Sequence, residues 1–230
     1  MAAQPEFHEH EVTVRAGRVA LGGMLTVPAS AGGIIIFAHG SGSSRFSPRN
    51  RQVATRLNNA GFATLLFDLL TPDEEAVDSI TGHMRFDVLF LAERLIAATA
   101  WIEQNELTRK MRIGYFGAST GAAAALLAAT ELPRAVEAVV SRGGRADMAG
   151  EMLKDVTAPT LLIVGSKDLA VIELNKQALA QLNCVKQMEI VQGATHLFEE
   201  AGALEAVADL AAAWFHRYLG WSEKRRESAS

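Results

Sequence analysis

The feature that most constrains this chain is Ile113-Gly114-Tyr115-Phe116-Gly117-Ala118-Ser119-Thr120-Gly121, followed by Ala122 to Ala125. An apolar segment of strand length gives way within one turn to an alanine-rich segment of helical composition. So abrupt a junction needs small residues on both sides, because the two backbones nearly touch. Gly-x-Ser-x-Gly supplies them. The residue at the apex is pushed into an uncommon backbone conformation, and its side chain is lifted clear of the sheet. Ser119 is therefore a candidate nucleophile, provided that the rest of the chain brings a base to it.

The flanking sequence alternates short apolar runs with segments of helical period. Residues 11–16 and 19–27 read as two strands, separated at Gly17 and ended by Pro28, and suit an antiparallel pair at a sheet edge. Residues 33–38, 62–67, 112–117, 135–140, 160–164 and 186–191 read as further strands. Several of these are apolar without alternation, as in a parallel sheet buried on both faces. Helices are expected from Ser47-Pro48 to before Gly61, from Phe86 to about Gln104, from the elbow to about Thr130, over 172–182 and over 204–219. Residues 71–78 read as a polar loop. Strands alternating with helices imply right-handed βαβ units, some six parallel strands, and a three-layer α/β/α sandwich. The 230 residues are expected to form one domain, with 222–230 as a frayed tail.

Composition narrows the function classes. A net charge of -4 gives no electrostatic reason to expect nucleic acid or an anionic membrane as partner. No apolar stretch approaches the ~20 residues of a membrane span, and the N-terminus lacks the pattern of a signal peptide. With Cys184 as its one cysteine the chain forms no internal disulfide, which fits a reducing, cytoplasmic setting. No cluster of residues has metal-ligand spacing, and no phosphate or dinucleotide glycine motif is present, so neither metal nor cofactor is expected.

Every polar residue of interest follows a predicted strand, where open α/β sheets carry their sites. His39 follows one, Ser119 a second, Asp168 a third and His196 a fourth. A serine hydroxyl needs a base to take its proton, and His196 is assigned that role. A carboxylate must hold the imidazole in the right tautomer, and Asp168 is assigned there, with Asp147 as the other candidate. The developing oxyanion needs fixed donors. The N–H of Thr120 is one, and that of Ser41 is expected to be the second, with Gly42 next in line. His39 is read as structural. Arg45, Arg142 and Arg145 either clamp a carboxylate or phosphate of the substrate or pair with loop acids such as Asp147 or Asp68.

The stretches His39–Arg45, Ser47-Pro48-Arg49-Asn50-Arg51, Gly117–Ala122, Ser141-Arg142-Gly143-Gly144-Arg145 and Gly193–Glu200 resemble the α/β-hydrolase fold. More narrowly they resemble the dienelactone hydrolase family, and within it bacterial members fused to, or encoded beside, a phosphoribosyltransferase. No part of this sequence reads as that second domain. The resemblance implies the order nucleophile, acid, base for Ser119, Asp168 and His196. The enzymes that named the family use cysteine where this chain has Ser119, which turns the expectation from dienelactones toward general ester hydrolysis. Only about twenty residues separate strands 135–140 and 160–164, too few for a substantial cap domain, so the site is expected to be covered only by the loops 41–47, 69–82 and 143–150. The expected substrate is a small ester or lactone. Acyl transfer through the same acyl-enzyme is the alternative, and a non-catalytic binding module on this fold is a third reading.

Overall fold

A computed structural model of the protein describes Phe7, residues 9–29 and residues 31–220; the expected tail at 222–230 lies outside them. Two strands open the fold, β1 (Glu9–Ala16) and β2 (Val19–Thr26), antiparallel and joined at Gly17-Arg18. Then come β3 (Gly33–Ala38), α1 (Pro48–Asn59), β4 (Ala63–Phe67), α2 (Pro72–Thr81), the one-turn α3 (His83–Phe86) and α4 (Val88–Gln104). The second half runs β5 (Arg112–Ala118), α5 (Thr120–Glu131), β6 (Val136–Arg142), two short 3₁₀ turns within Ala146–Asp155 kinked at Gly150, and β7 (Thr160–Gly165). It ends with α6 (Leu169–Gln181), β8 (Lys186–Val191) and α7 (Ala203–Leu219).

The strands form one sheet in the order β1-β2-β4-β3-β5-β6-β7-β8. β2 meets β4 antiparallel, and every pairing from β4 through β8 is parallel. The sheet is thus six parallel strands with an antiparallel pair on one edge, as the strand pattern implies. Its two faces bury separate cores. Ile34 and Ile36 of β3 face α4 and α5, while Ile35 and Phe37 face α1 and α7. All four are at most 2% exposed, which is why β3 shows no polar alternation. No substantial cap lies between β6 and β7; that connection carries only the 3₁₀ turns.

Two expectations are corrected. Residues 71–78 are not a loop. Thr71 accepts a hydrogen bond from the Glu74 N–H while Glu74 bonds back to the Thr71 N–H, Pro72 follows the cap, and the helix α2 runs to Thr81 before Gly82 turns it at φ 66°. The helix expected from Phe86 is broken at Asp87, whose side chain caps α4 through the Phe90 N–H.

The β5–α5 turn places Ser119 at φ 51°, ψ −123°, a conformation L-residues seldom adopt. Close approach makes the flanking glycines obligatory. A Cβ on Gly121 would run into the Ala38 carbonyl and lie 2.5 Å from that of His39; one on Gly117 would overlap Ala122 and lie 2.7 Å from the Gly121 carbonyl. These are backbone atoms, so nothing yields cheaply. Gly121→Ala is accordingly expected to lower unfolding stability by at least about 2 kcal/mol, read from urea unfolding against wild type.

Candidate active site

Ser119 is held from both directions. Its N–H donates to the Arg142 carbonyl at 3.3 Å, and its own carbonyl accepts from Ala122 and Arg145 at 3.1 and 3.0 Å. The side chain is therefore carried on a backbone tied to the end of β6 as well as to α5. Positive φ and a helix beginning at the next residue put the partial positive end of α5 beside it.

Asp168 ends the turn after β7, and His196 lies in the loop after β8. The Asp168 Oδ2 is 2.6 Å from His196 Nδ1. This contact assigns the proton to Nδ1 and leaves Nε2 free to accept one. Asp168 is largely covered and His196 more than a third exposed, so the pair is shielded on the acid side and open on the base side. Gly143, next to the residue that binds the Ser119 N–H, lies against His196: a Cβ there would be 3.1 Å from the His196 carbonyl. Ser119, Asp168 and His196 thus follow β5, β7 and β8 on the carboxyl edge of one sheet, with Asp168 and His196 in contact. Asp147 is not part of this group; it grips Arg145 through both oxygens at 2.9 and 2.8 Å.

The loop carrying His196 is itself braced. Glu200 accepts the Thr195 N–H on both oxygens at 3.1 Å, and that bond holds its carboxyl below the ordinary range. Phe198, fully buried, sits at φ 57°, the other non-glycine residue with positive φ besides Ser119 among the described residues. A phenylalanine in this conformation is retained because its ring fills the core shared with α1 and α7.

Ser41 and Gly42 occupy the middle of a turn closed by the Ser43 N–H on the Gly40 carbonyl at 3.2 Å, with Gly42 at φ 65°. The Ser41 N–H has no hydrogen-bond partner among the described residues, and the Thr120 N–H opens α5 where no helical acceptor exists. The two residues are fastened together, hydroxyl to hydroxyl, at 3.0 Å. Gly40 brings the loop against Ser119: a Cβ on it would lie 3.0 Å from Ser119 Cβ. The pair of N–H groups is thus fixed before any ligand arrives, which is what an anionic transition state requires.

His39 is buried and has the structural role its position suggests. Its Nδ1 lies 3.0 Å from the Gly40 carbonyl, and its Nε2 accepts the Leu69 N–H at 3.1 Å. Both contacts suit a neutral ring, and burial lowers its pKa from the usual 6.5.

Sequence reasoning missed Asp78. Lying in α2, it is fully buried and binds the Met84 N–H at 2.6 Å and the Arg85 Nε at 2.6 Å. Burial alone would raise this carboxyl, but the Arg85 bond and the N–H groups of Met84 and Arg85 outweigh it and hold the group low. The Arg85 carbonyl in turn accepts the Ser41 hydroxyl at 3.1 Å. The segment α2–α3 is thereby locked to the loop that carries one of the two free N–H groups.

The arginines have different fates. Arg45 bonds Asp68 through its guanidinium and its main-chain N–H, shaping the loop. Arg145 is taken by Asp147. Arg142 has no partner among the described residues. Beside the loop, a cavity of about 500 Å³ is lined by Gly42, Phe46, Arg49, Leu70 and Glu75, among others.

Two measurements test this scaffold. Because unfolded His39 takes up a proton that folded His39 refuses, stability is full above the unfolded pKa and is lost as pH falls below about 6.5; His39→Gln is expected to remove that part of the acid sensitivity in urea unfolding between about pH 7.5 and 5.5. Asp78→Asn, which leaves the Arg85 charge uncompensated, is expected to cost about 3 kcal/mol of stability. It should also depress ester turnover by loosening Ser41.

The sequence model of the dienelactone hydrolase family matches residues 21–224. A Mycobacterium tuberculosis H37Rv protein named for phosphoribosyl transfer is 55% identical over 218 residues, 95% of this chain and 48% of that protein. The chain thus spans about half the length of the curated relatives it matches first. The crystal structure of a dienelactone hydrolase from Anabaena variabilis is 57% identical, with a TM-score of 0.91 over 93% of this chain and 99% of that one. Est1E from Butyrivibrio proteoclasticus, 16% identical, shares the fold with a TM-score of 0.73, over 89% of this chain and 98% of its own. Among the described residues, no helix is long and apolar enough to cross a membrane. Strand order, elbow and family match agree: the chain belongs to the dienelactone hydrolase family and has the α/β-hydrolase fold.

Proposed function

We propose that the protein is a serine hydrolase that cleaves carboxylic esters or lactones through an acyl-enzyme on Ser119. The observation that carries this reading is the 2.6 Å bond between Asp168 and His196 Nδ1, at the strand ends beside a serine held at positive φ. With Nδ1 committed to the acid, Nε2 is the nitrogen able to take the Ser119 proton as Oγ attacks the carbonyl carbon.

The tetrahedral oxyanion is received by the N–H groups of Thr120 and Ser41, whose hydroxyls are already joined. His196 returns the proton to the leaving alkoxide; with a lactone that hydroxyl stays attached to the acyl group. Water, deprotonated by His196, then attacks the acyl-enzyme and releases the acid. The cavity beside the 42–49 loop gives one arm of the ester a place to lie, and the absence of a cap between β6 and β7 leaves the other side open. No cofactor or metal is required by these steps.

A fluorophosphonate probe is expected to label the wild-type protein at Ser119, located by peptide mass spectrometry. Short p-nitrophenyl esters are expected to turn over, and Ser119→Ala to lose at least about 10³-fold in kcat/KM with no label. Unchanged turnover in that variant would sink the reading. Competing alcohols added to the assay separate hydrolysis from acyl transfer, because both leave from the same acyl-enzyme.

A further inference from the structure

Arg142 is the last residue of β6, and its carbonyl holds the Ser119 N–H. Its side chain lies on the α1 and α7 side of the sheet, with Cζ 6.0 Å from the centre of the Phe198 ring. The residue is only 8% exposed. Among the described residues none of its guanidinium nitrogens has a hydrogen-bond partner, and Nε and Nη1 are sealed from solvent.

Among the described residues no carboxylate answers this charge. The group acting on it most strongly is a second cation, Arg49, in the first turn of α1. Burial first, and then Arg49, push the Arg142 guanidinium down to about 10. Arg49 spends Nη1 on the exposed Glu199 at 2.8 Å, while its Nε is buried and unpaired. Arg49 thus has one exposed acid and Arg142 has none among the described residues. A buried cation without a partner costs several kcal/mol, and folded chains keep one where something else completes it. The other arginines around the site illustrate the contrast, since Arg45, Arg85 and Arg145 each hold an aspartate.

We propose that Arg142 and Arg49 form a subsite for an oxyanionic group, a carboxylate or a phosphoryl, carried by the substrate at a distance from the bond that Ser119 attacks. This rests on the serine hydrolase reading and narrows it: the substrates are esters or lactones bearing a negative charge. A guanidinium fork matches both oxyanions, and low dielectric strengthens the contact.

The test has a binding arm and a kinetic arm. In the first, Ser119→Ala protein is titrated calorimetrically with glutarate, 3-phosphonopropionate and neutral glutaramide. The two anions are expected to bind, the diamide is not, and the stronger anion identifies the natural group. Arg142→Gln in the same background is expected to weaken anion binding roughly 10- to 100-fold. Arg142→Lys, which keeps the charge and loses the fork, should fall between and serves if the glutamine variant does not fold.

In the kinetic arm, kcat/KM for mono-p-nitrophenyl glutarate is expected to exceed that for p-nitrophenyl pentanoate by about tenfold or more. That ratio is expected to collapse toward one in Arg142→Gln, chiefly through KM. Equal turnover of charged and neutral esters by wild type, or a preference that survives in Arg142→Gln, would overturn the subsite and leave the hydrolase standing. If neither ester turns over and Ser119 takes no label, the hydrolase reading falls, and the binding arm still decides the subsite: anions that bind no better than glutaramide end it.

Discussion

The contact on which the site depends is the near collision of α5 with the ends of β5 and β3. Gly117 and Gly121 let the helix start so close to the sheet that any Cβ would strike main-chain atoms. This proximity forces Ser119 to positive φ and puts the first N–H of α5 beside it. The strain is held by a hydrogen bond to the Arg142 carbonyl and by bonds from the Ala122 and Arg145 N–H groups, so the turn cannot relax without unpicking the end of β6. Ser119, the Thr120 N–H and the β6 terminus are therefore one rigid object.

The second donor is fixed from further away. Ser41 sits on a loop whose tip would be free to move if only its ends were anchored. Three attachments prevent that: His39 to Leu69, Arg45 to Asp68, and Ser41 to both Thr120 and the Arg85 carbonyl. The last leads to Asp78, a fully buried carboxylate that is tolerated because three donors surround it. The position of the Ser41 N–H is thus braced by an ion pair remote from Ser119, Asp168 and His196. The support of Ser41 is polar where that of Ser119 is chiefly steric.

Much of this was legible in the sequence, for physical reasons that vary by element. β3 is legible at the bounds the structure shows, because a strand covered on both faces has nothing but apolar residues to offer. Order along the chain was enough to align Ser119, Asp168 and His196, since parallel strands deliver their carboxyl ends to one edge. The helix α2 escaped because its composition is polar, although Thr71-Pro72-Asp73-Glu74 carried a capping box and a proline at the first helical position. Asp78 was not legible at all. Its partner lies seven residues on, past a left-handed glycine and into another helix, and no periodicity reports such a contact. Phe198 was hidden similarly, because positive φ at a phenylalanine is imposed by the core rather than by local preference.

The arginines show where composition stops being informative. Arg142 and Arg145 flank the same pair of glycines, and sequence offered them one shared choice between substrate and loop acids. The structure separates them by direction. Arg145 leaves the strand end and meets Asp147 two residues away, at the cost of a partly exposed ion pair. Arg142 is still in the strand, so alternation turns it into the layer beneath α1 and α7, where its neighbours are Phe198 and another cation. In a chain of net charge -4, no acid among the described residues bonds Arg142. The resulting field acts locally, since water screens an exposed charge within about 8 Å at physiological salt but screens a covered one far less. The charge selection proposed for Arg142 and Arg49 therefore centres on one covered guanidinium, set by the parity of a single strand.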